Sequence, residues 1–286
     1  MNELREPILD WYAEHARDLP WRRPGTSPWS VMVSEFMLQQ TPVSRVLPVH
    51  DLWMSTWPTP ADLAAVPAGE AVRAWGRLGY PRRALRLHAS AVAITELHDG
   101  RVPDTYDELR TLPGVGDYTA AAIASFAFGR RHAVLDTNVR RVIGRAVSAV
   151  EFPPASITRA EREVATTLVP EVDPEVWAIA VMELGALVCT ANSPTCDRCP
   201  VVDRCAWVQS GRPAYDGPAR TAQSYAGTDR QCRGRLLAVL RETVGSVTTQ
   251  QLVAAWPESI QRERALASLL DAGLVVQEGQ YFALPG

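Results

Sequence analysis

The chain has 286 residues, 47% of them apolar and 21% charged, with a formal net charge of −3. That composition fits a soluble globular protein holding one large or two to three modest domains, and no apolar run approaches the roughly 20 residues that a membrane span needs. The mild negative charge excludes a bulk electrostatic sponge for nucleic acid, although a local basic face remains open.

The N-terminal MNELREPILDWYAEH carries acids and no signal-like apolar core, so a cytoplasmic protein is expected. The basic residues are all arginine, because the chain contains no lysine. A lysine Schiff-base mechanism is therefore excluded. Arginines gather as Arg82-Arg83-Arg86, Arg130-Arg131 and Arg140-Arg141-Arg145, and each group reads equally well as a solvated helix face.

From residue 4 to about 190 the helical period dominates and convincing alternating strands are missing. Ser27-Pro28 ahead of WSVMVSEFMLQQ reads as an N-cap with a first-turn proline. Within that helix Glu35 is a lone acid, with Val31, Met32 and Leu38 at helical spacing. Burial there would disfavour the carboxylate and suit a general acid; the alternative is a solvent face shared with Ser34. Thr59-Pro60 before ADLAAVP, Asp104 before TYDELRTL and Thr158 before RAEREVATTLV mark further helix starts.

The stretch 112–122, LPGVGDYTAAA, is a glycine turn running into a helix. Its close-approaching backbone and fresh helix N-terminus suit a phosphate. Asp136 stands after Ala133-Val-Leu135 and before Thr137-Asn138 and the helical VRRVIGRAV, which reads first as an N-cap. Two acids in distinct settings can still divide roles, one protonated and one ionised, as in glycoside cleavage. His15, His50, His88, His98 and His132 show no metal spacing and read as surface or packing residues.

Four of the five cysteines form Cys189-x6-Cys196-x2-Cys199-x5-Cys205. Four thiolates so close make a compact metal cage, and a disulfide framework does not suit a cytoplasmic chain. Structural zinc commonly uses two close cysteine pairs, and only one C-x2-C is present; four cysteines on one loop can hold a [4Fe–4S] cluster, which is preferred over zinc. Cys232 lies outside the cage as a buried or spare thiol. Residues 210–230 have a linker's Gly, Ser and Pro content. Helical RGRLLAVLRETV, TTQQLVAAW and ESIQRERALASLLDAG follow, and LVVQEGQYFAL reads as two short strands about a Glu-Gly turn. Residues 231–286 are thus expected to form a small winged-helix-like module.

LPGVG opening a helix, an Asp some distance on, and the four-cysteine loop together resemble the helix-hairpin-helix DNA glycosylases related to endonuclease III, over roughly residues 4–208. LPW at 19–21, SEFMLQQT at 34–41, RLGY at 77–80 and LDTNVRRV at 135–142 are similar to the A/G-specific adenine DNA glycosylases. The resemblance implies an all-α fold of two helical subdomains. One is the barrel with the hairpin, 25–130, and the other the cluster subdomain, 1–24 plus 131–209, with linker and winged-helix-like module behind. It implies that Glu35 protonates adenine and later activates water, that Asp136 stabilises or captures the oxocarbenium ion, and that Tyr118 and Asn138 support them. It places Trp21 and Arg22 at the adenine pocket, and Gln40 and Tyr80 in the base stack beside Thr41. The backbone of Leu112, Gly114, Val115 and Gly116 would hold DNA phosphate, and Cys189, Cys196, Cys199 and Cys205 a [4Fe–4S] cluster. The implied partner is double-stranded DNA with A:8-oxoguanine or A:G mispairs, met by a monomer at the nucleoid. Tyr118 stands where lyase relatives place a lysine, so base removal without strand cleavage is expected.

Three departures stand out. Pro81 replaces a frequent second Tyr, Ile179 a Gln or Glu facing adenine, and residues 231–286 the hydrolase-like domain that reads 8-oxoguanine. The competing readings are a thymine glycosylase at T:G mismatches and a catalytically inactive DNA-binding module with structural zinc.

Overall fold

A computed structural model describes residues 2–217 and 225–286; the middle of the expected linker, 218–224, lies outside the described residues. In chain order the helices are α1 (Arg5–His15), α2 (Pro28–Leu38), α3 (Val43–Thr56), α4 (Pro60–Ala64), α5 (Ala68–Trp75), α6 (Arg82–Leu97), α7 (Tyr106–Thr111) and α8 (Asp117–Phe128). There follow α9 (Thr137–Ala146), α10 (Arg159–Leu168), α11 (Pro174–Leu187), α12 (Ala206–Gln209), α13 (Asp229–Glu242), α14 (Thr249–Ala255) and α15 (Ser259–Asp271). The strands β1 (Val247–Thr248), β2 (Val276–Glu278) and β3 (Tyr281–Ala283) all fall after residue 245 among the described residues. No helix among the described residues is long and apolar enough to cross a membrane.

Local chemistry sets most helix starts. Thr59 and Thr158 each close a capping box, with Asp62 and Glu161. Ser27 accepts from the Ser30 N–H at 3.2 Å ahead of α2. The start expected at Asp104 is a correction: Thr105 accepts the Glu108 N–H at 3.3 Å and begins α7, while Asp104 pairs with Arg130. Both oxygens can cap; the one that precedes the first turn by the right spacing wins.

The chain divides into two compact units. The first contains the described parts of 1–31, 104–111 and 115–219. Its core joins Ile8 of α1, Val139 and Val142 of α9, Leu168 of α10, and Val181 and Leu184 of α11. Burying each such side chain is worth about 2 kcal/mol, which makes these four helices one body.

The second unit contains 32–103, 112–114 and the described parts of 220–286. Trp53 is its centre, edge-on to Trp57 at 5.0 Å and to Trp75 at 5.5 Å, the arrangement that ring quadrupoles favour. The C-terminal helices and hairpin form as expected, around buried Cys232, Leu236, Leu240 and Phe282. An additional strand, β1, gives the antiparallel order β1-β3-β2, with Val247 and Gln277 flanking Phe282. Two residues are too few to show alternation, so β1 carries no sequence signal. This module is fastened to α5. The Arg73 guanidinium donates to the carbonyls of Arg241 and Thr243, Arg241 donates to Val72 O at 3.0 Å, and the Gly69 N–H donates to Pro285 O at 2.7 Å.

Candidate active site

Asp136 is the N-cap of α9. Its Oδ1 accepts the Val139 N–H at 2.6 Å, and its Oδ2 accepts from the Asn138 side-chain amide at 2.8 Å. The capping alternative and a special role are therefore not exclusive, since each oxygen has its own partner. Burial pushes the Asp136 carboxyl above the ordinary carboxylate range, against the Val139 and Asn138 hydrogen bonds and the nearby Arg141 charge, which pull it down. Asn138 is itself oriented by Arg141, which donates to its Oδ1 at 2.8 Å, to Gly185 O at 2.6 Å and to Cys189 O at 2.6 Å. Gly185 permits this approach, because a Cβ there would stand 2.7 Å from Asn138 Cβ.

Tyr118, on the first turn of α8, packs against the cluster of Ala122, Val134 and Ala178. It borders an open cavity of about 240 Å³ together with Tyr106, Asp117, His132, Leu135 and Arg162. The Tyr106 and His132 rings stack at 5.4 Å, and burial pushes the His132 pKa down. At the α7–α8 turn, Leu112 and Val115 are buried while Pro113, Gly114 and Gly116 are exposed, so two apolar side chains anchor the turn and its glycine backbone faces outward. Gly114 has φ +81 and would place a Cβ 2.6 Å from Arg86 Cβ, which no L side chain tolerates. Gly116 caps α8 without a side-chain bond. Asp117 in that first turn would repel a phosphate, and Arg110 balances it at 3.0 Å.

Glu35 is 4% exposed and Ser34 fully buried on α2, which rules out the solvent-face alternative. The same unit carries Gln40 and Tyr80, both exposed and both at positive φ, +56 and +48. Between them lies buried Arg83, donating to the carbonyls of Phe36, Met37 and Gln39, to Thr41 Oγ1 and to Gly79 O at 2.6–3.0 Å. Burial lowers the Arg83 pKa to about 10, so it remains a cation at neutral pH.

Trp21 is buried on the 3-10 turn Pro20–Arg22. The Arg22 guanidinium is held by Glu183 Oε2 at 2.8 Å, and Arg17 grips Glu183 from the other side at 2.5 and 2.8 Å. Burial alone would raise the Glu183 carboxyl, but the two arginines hold it below its usual value.

The four cysteines expected to bind metal border one small cavity with Arg145, Val188 and Trp207. No group of three or more His, Cys, Asp or Glu among the described residues converges tightly enough for a metal ion. Arg145 lies under the loop, donating to Cys189 Sγ at 3.4 Å and to the carbonyls of Thr190 and Ala191, with Trp207 stacked 4.8 Å away. Burial raises the Cys189 thiol and pushes Cys199 up to about 11; a bound cation would reverse that preference.

Residues 33–166 match the model of the HhH-GPD superfamily base excision DNA repair proteins. An adenine DNA glycosylase of Mycolicibacterium smegmatis is 53% identical over 98% of this chain and 95% of its own length. One of Mycobacterium tuberculosis strain H37Rv is 52% identical over 98% of this chain and 92% of its own length.

The chain belongs to the adenine DNA glycosylase family.

Its fold is also that of a thermostable thymine-DNA glycosylase of known structure, at TM-score 0.65 and 28% identity over 73% of this chain and 98% of that one. Against this family background, sequence reasoning missed Glu183, Arg17 and the interior arginines. Glu183 carries the same signal as Glu35, a lone acid in the apolar VWAIAVMELGALV. The solvated reading of the arginine clusters is corrected for Arg83, Arg141 and Arg145, all buried. Their acceptors are largely backbone carbonyls, which residue types do not display.

Proposed function

We propose that the protein is a monofunctional DNA glycosylase of base excision repair that flips adenine out of duplex DNA and hydrolyses its N-glycosidic bond, acting as a monomer at the nucleoid. The observation that carries this reading is Asp136, a half-buried carboxylate held by two neutral donors, Val139 N–H and the Asn138 amide, with no lysine in the chain. An adenine inside a duplex is unreachable, so it must leave the stack, with Gln40 and Tyr80 filling the space and Trp21 receiving the base. Neutral adenine leaves poorly. Buried Glu35 supplies a proton to the ring and then takes one from water. Positive charge that builds on the sugar is met by ionised Asp136, and Tyr118 occupies the place where an amine would make a lyase. The exposed glycine backbone of the α7–α8 turn grips phosphate.

Cys189, Cys196, Cys199 and Cys205 would hold a [4Fe–4S] cluster, which supplies a structural staple for the loop and an electron-transfer centre when bound. Four thiols lining one cavity fit a four-iron group, in which each iron takes one cysteine. The favoured substrates are adenine opposite 8-oxoguanine and opposite guanine.

Duplexes containing A:8-oxoG, A:G, T:G and A:T pairs, incubated with the protein and then treated with alkali, test the reading. Adenine loss from the first two is expected. Thymine loss from T:G without adenine loss would overturn it, and strand cleavage before alkali would end the monofunctional claim. Glu35→Gln should abolish base removal while largely sparing DNA binding. A brown protein with visible absorbance is expected, and a colourless anaerobic preparation with stoichiometric zinc would refute iron–sulfur.

A further inference from the structure

Gln40 and Tyr80 sit on different loops, after α2 and after α5, yet both are exposed and both adopt the left-handed backbone conformation. That region is sparsely populated by non-glycine residues and persists only where the surroundings over-determine it. The residue that over-determines it is Arg83. Its Nη1 gathers three carbonyls at the C-terminal end of α2, those of Phe36, Met37 and Gln39. Its Nη2 reaches across to Gly79 O, directly before Tyr80, and to Thr41 Oγ1, directly after Gln40. The guanidinium also lies 5.6 Å from the centre of the Tyr80 ring and 5.2 Å from that of Trp75. Trp75 donates to Gly79 O at 3.0 Å, and Thr41 Oγ1 to Leu78 O at 3.3 Å, closing the bracket. A lysine could not replace this fork: its single ammonium has three donors and no planar face.

We infer that Arg83 is a positioning residue that pre-builds Gln40 and Tyr80 as one wedge before DNA arrives, so that the unstacking of a paired adenine depends on it. The inference rests on the reading of Gln40 and Tyr80 as residues that enter the base stack. Arg83 is 6% exposed, so it meets no substrate itself. It acts by removing the freedom of two loops that would otherwise have to be ordered during base flipping.

The test compares two substrates in single-turnover excision with enzyme in excess. One is a duplex with a paired A:G mismatch; the other holds the same adenine in a one-nucleotide bulge, already free of a partner. Arg83→Lys should slow excision from the paired duplex between about ten- and a hundred-fold, the scale of misplaced positioning groups, and from the bulge by under about three-fold. The loss on the paired duplex should also vanish in a Gln40→Ala/Tyr80→Ala background, because Arg83 then has no wedge to hold. Equal losses on both substrates, or an undiminished loss in that background, would overturn the inference in favour of a general fold defect. If Arg83→Lys does not fold, Thr41→Val carries the same comparison, with a smaller loss in the same direction. An inactive wild-type chain would bring down the functional reading and this inference together. An active wild type matched by Arg83→Lys on both substrates would bring down the inference alone.

Discussion

Asp136 at the start of α9, half-buried, and Glu183 in the middle of α11, fully buried, are carboxylates of the same unit, and their surroundings drive them in opposite directions. Glu183 has two guanidiniums and is held ionised; Asp136 has an amide and a backbone N–H and is pushed toward the neutral form. The contrast separates two uses of a buried charge. A carboxylate clamped by arginines ties segments together, here the 3-10 turn of Trp21 to α11. A carboxylate held by neutral hydrogen-bond donors keeps more of its affinity for a developing cation than one clamped directly by two guanidiniums.

The largest effect that would sharpen this contrast is Asp136→Asn, which should slow single-turnover excision by about a thousand-fold or more while leaving the thermal midpoint unchanged or higher. A large fall in stability with little loss of rate would invert the assignment. Glu183→Gln should do the reverse. Leaving Arg17 and Arg22 without their counter-charge should cost about 3 kcal/mol in chemical denaturation, with the rate of the remaining folded enzyme changing far less. The two also differ in pH dependence. A depressed carboxyl adds stability above its unfolded value, roughly 4.3, and that stability is lost as pH falls through the folded value. Glu183→Gln should therefore flatten the acid side of the stability curve. Asp136 has the opposite sign: its ionised form costs stability at neutral pH, and protonation relieves that cost as pH falls.

A smaller effect follows from Asn138. Its amide stabilises the ionised form of Asp136, so Asn138→Ala should raise the carboxyl further and move the acid limb of the kcat–pH profile upward. An unmoved limb would detach Asn138 from Asp136. The smallest effect is a control on capping as such. Thr158 caps α10 with no chemistry attached, and Thr158→Ala should cost about 1 kcal/mol of stability and nothing in excision rate.

What was legible in the residue types is what depends on near neighbours. The cysteine spacing, the Thr caps, the glycine turn and Glu35 as a lone acid all declare themselves within a few residues. Glu183 emits the same local signal as Glu35, but its meaning comes from Arg17 and Arg22, 166 and 161 residues away. Arg83 and Arg141 look like any surface arginine, because most of what they bind is main chain. Strand β1 is too short to carry a period at all.

The fastening of the C-terminal module to α5 bears on how the chain would respond to a protease. Arg73, Arg241 and the Gly69–Pro285 bond join the two through hydrogen bonds that owe nothing to the covalent path between residues 217 and 228. A nick in that path would leave two fragments that migrate together on a sizing column and part only under denaturant.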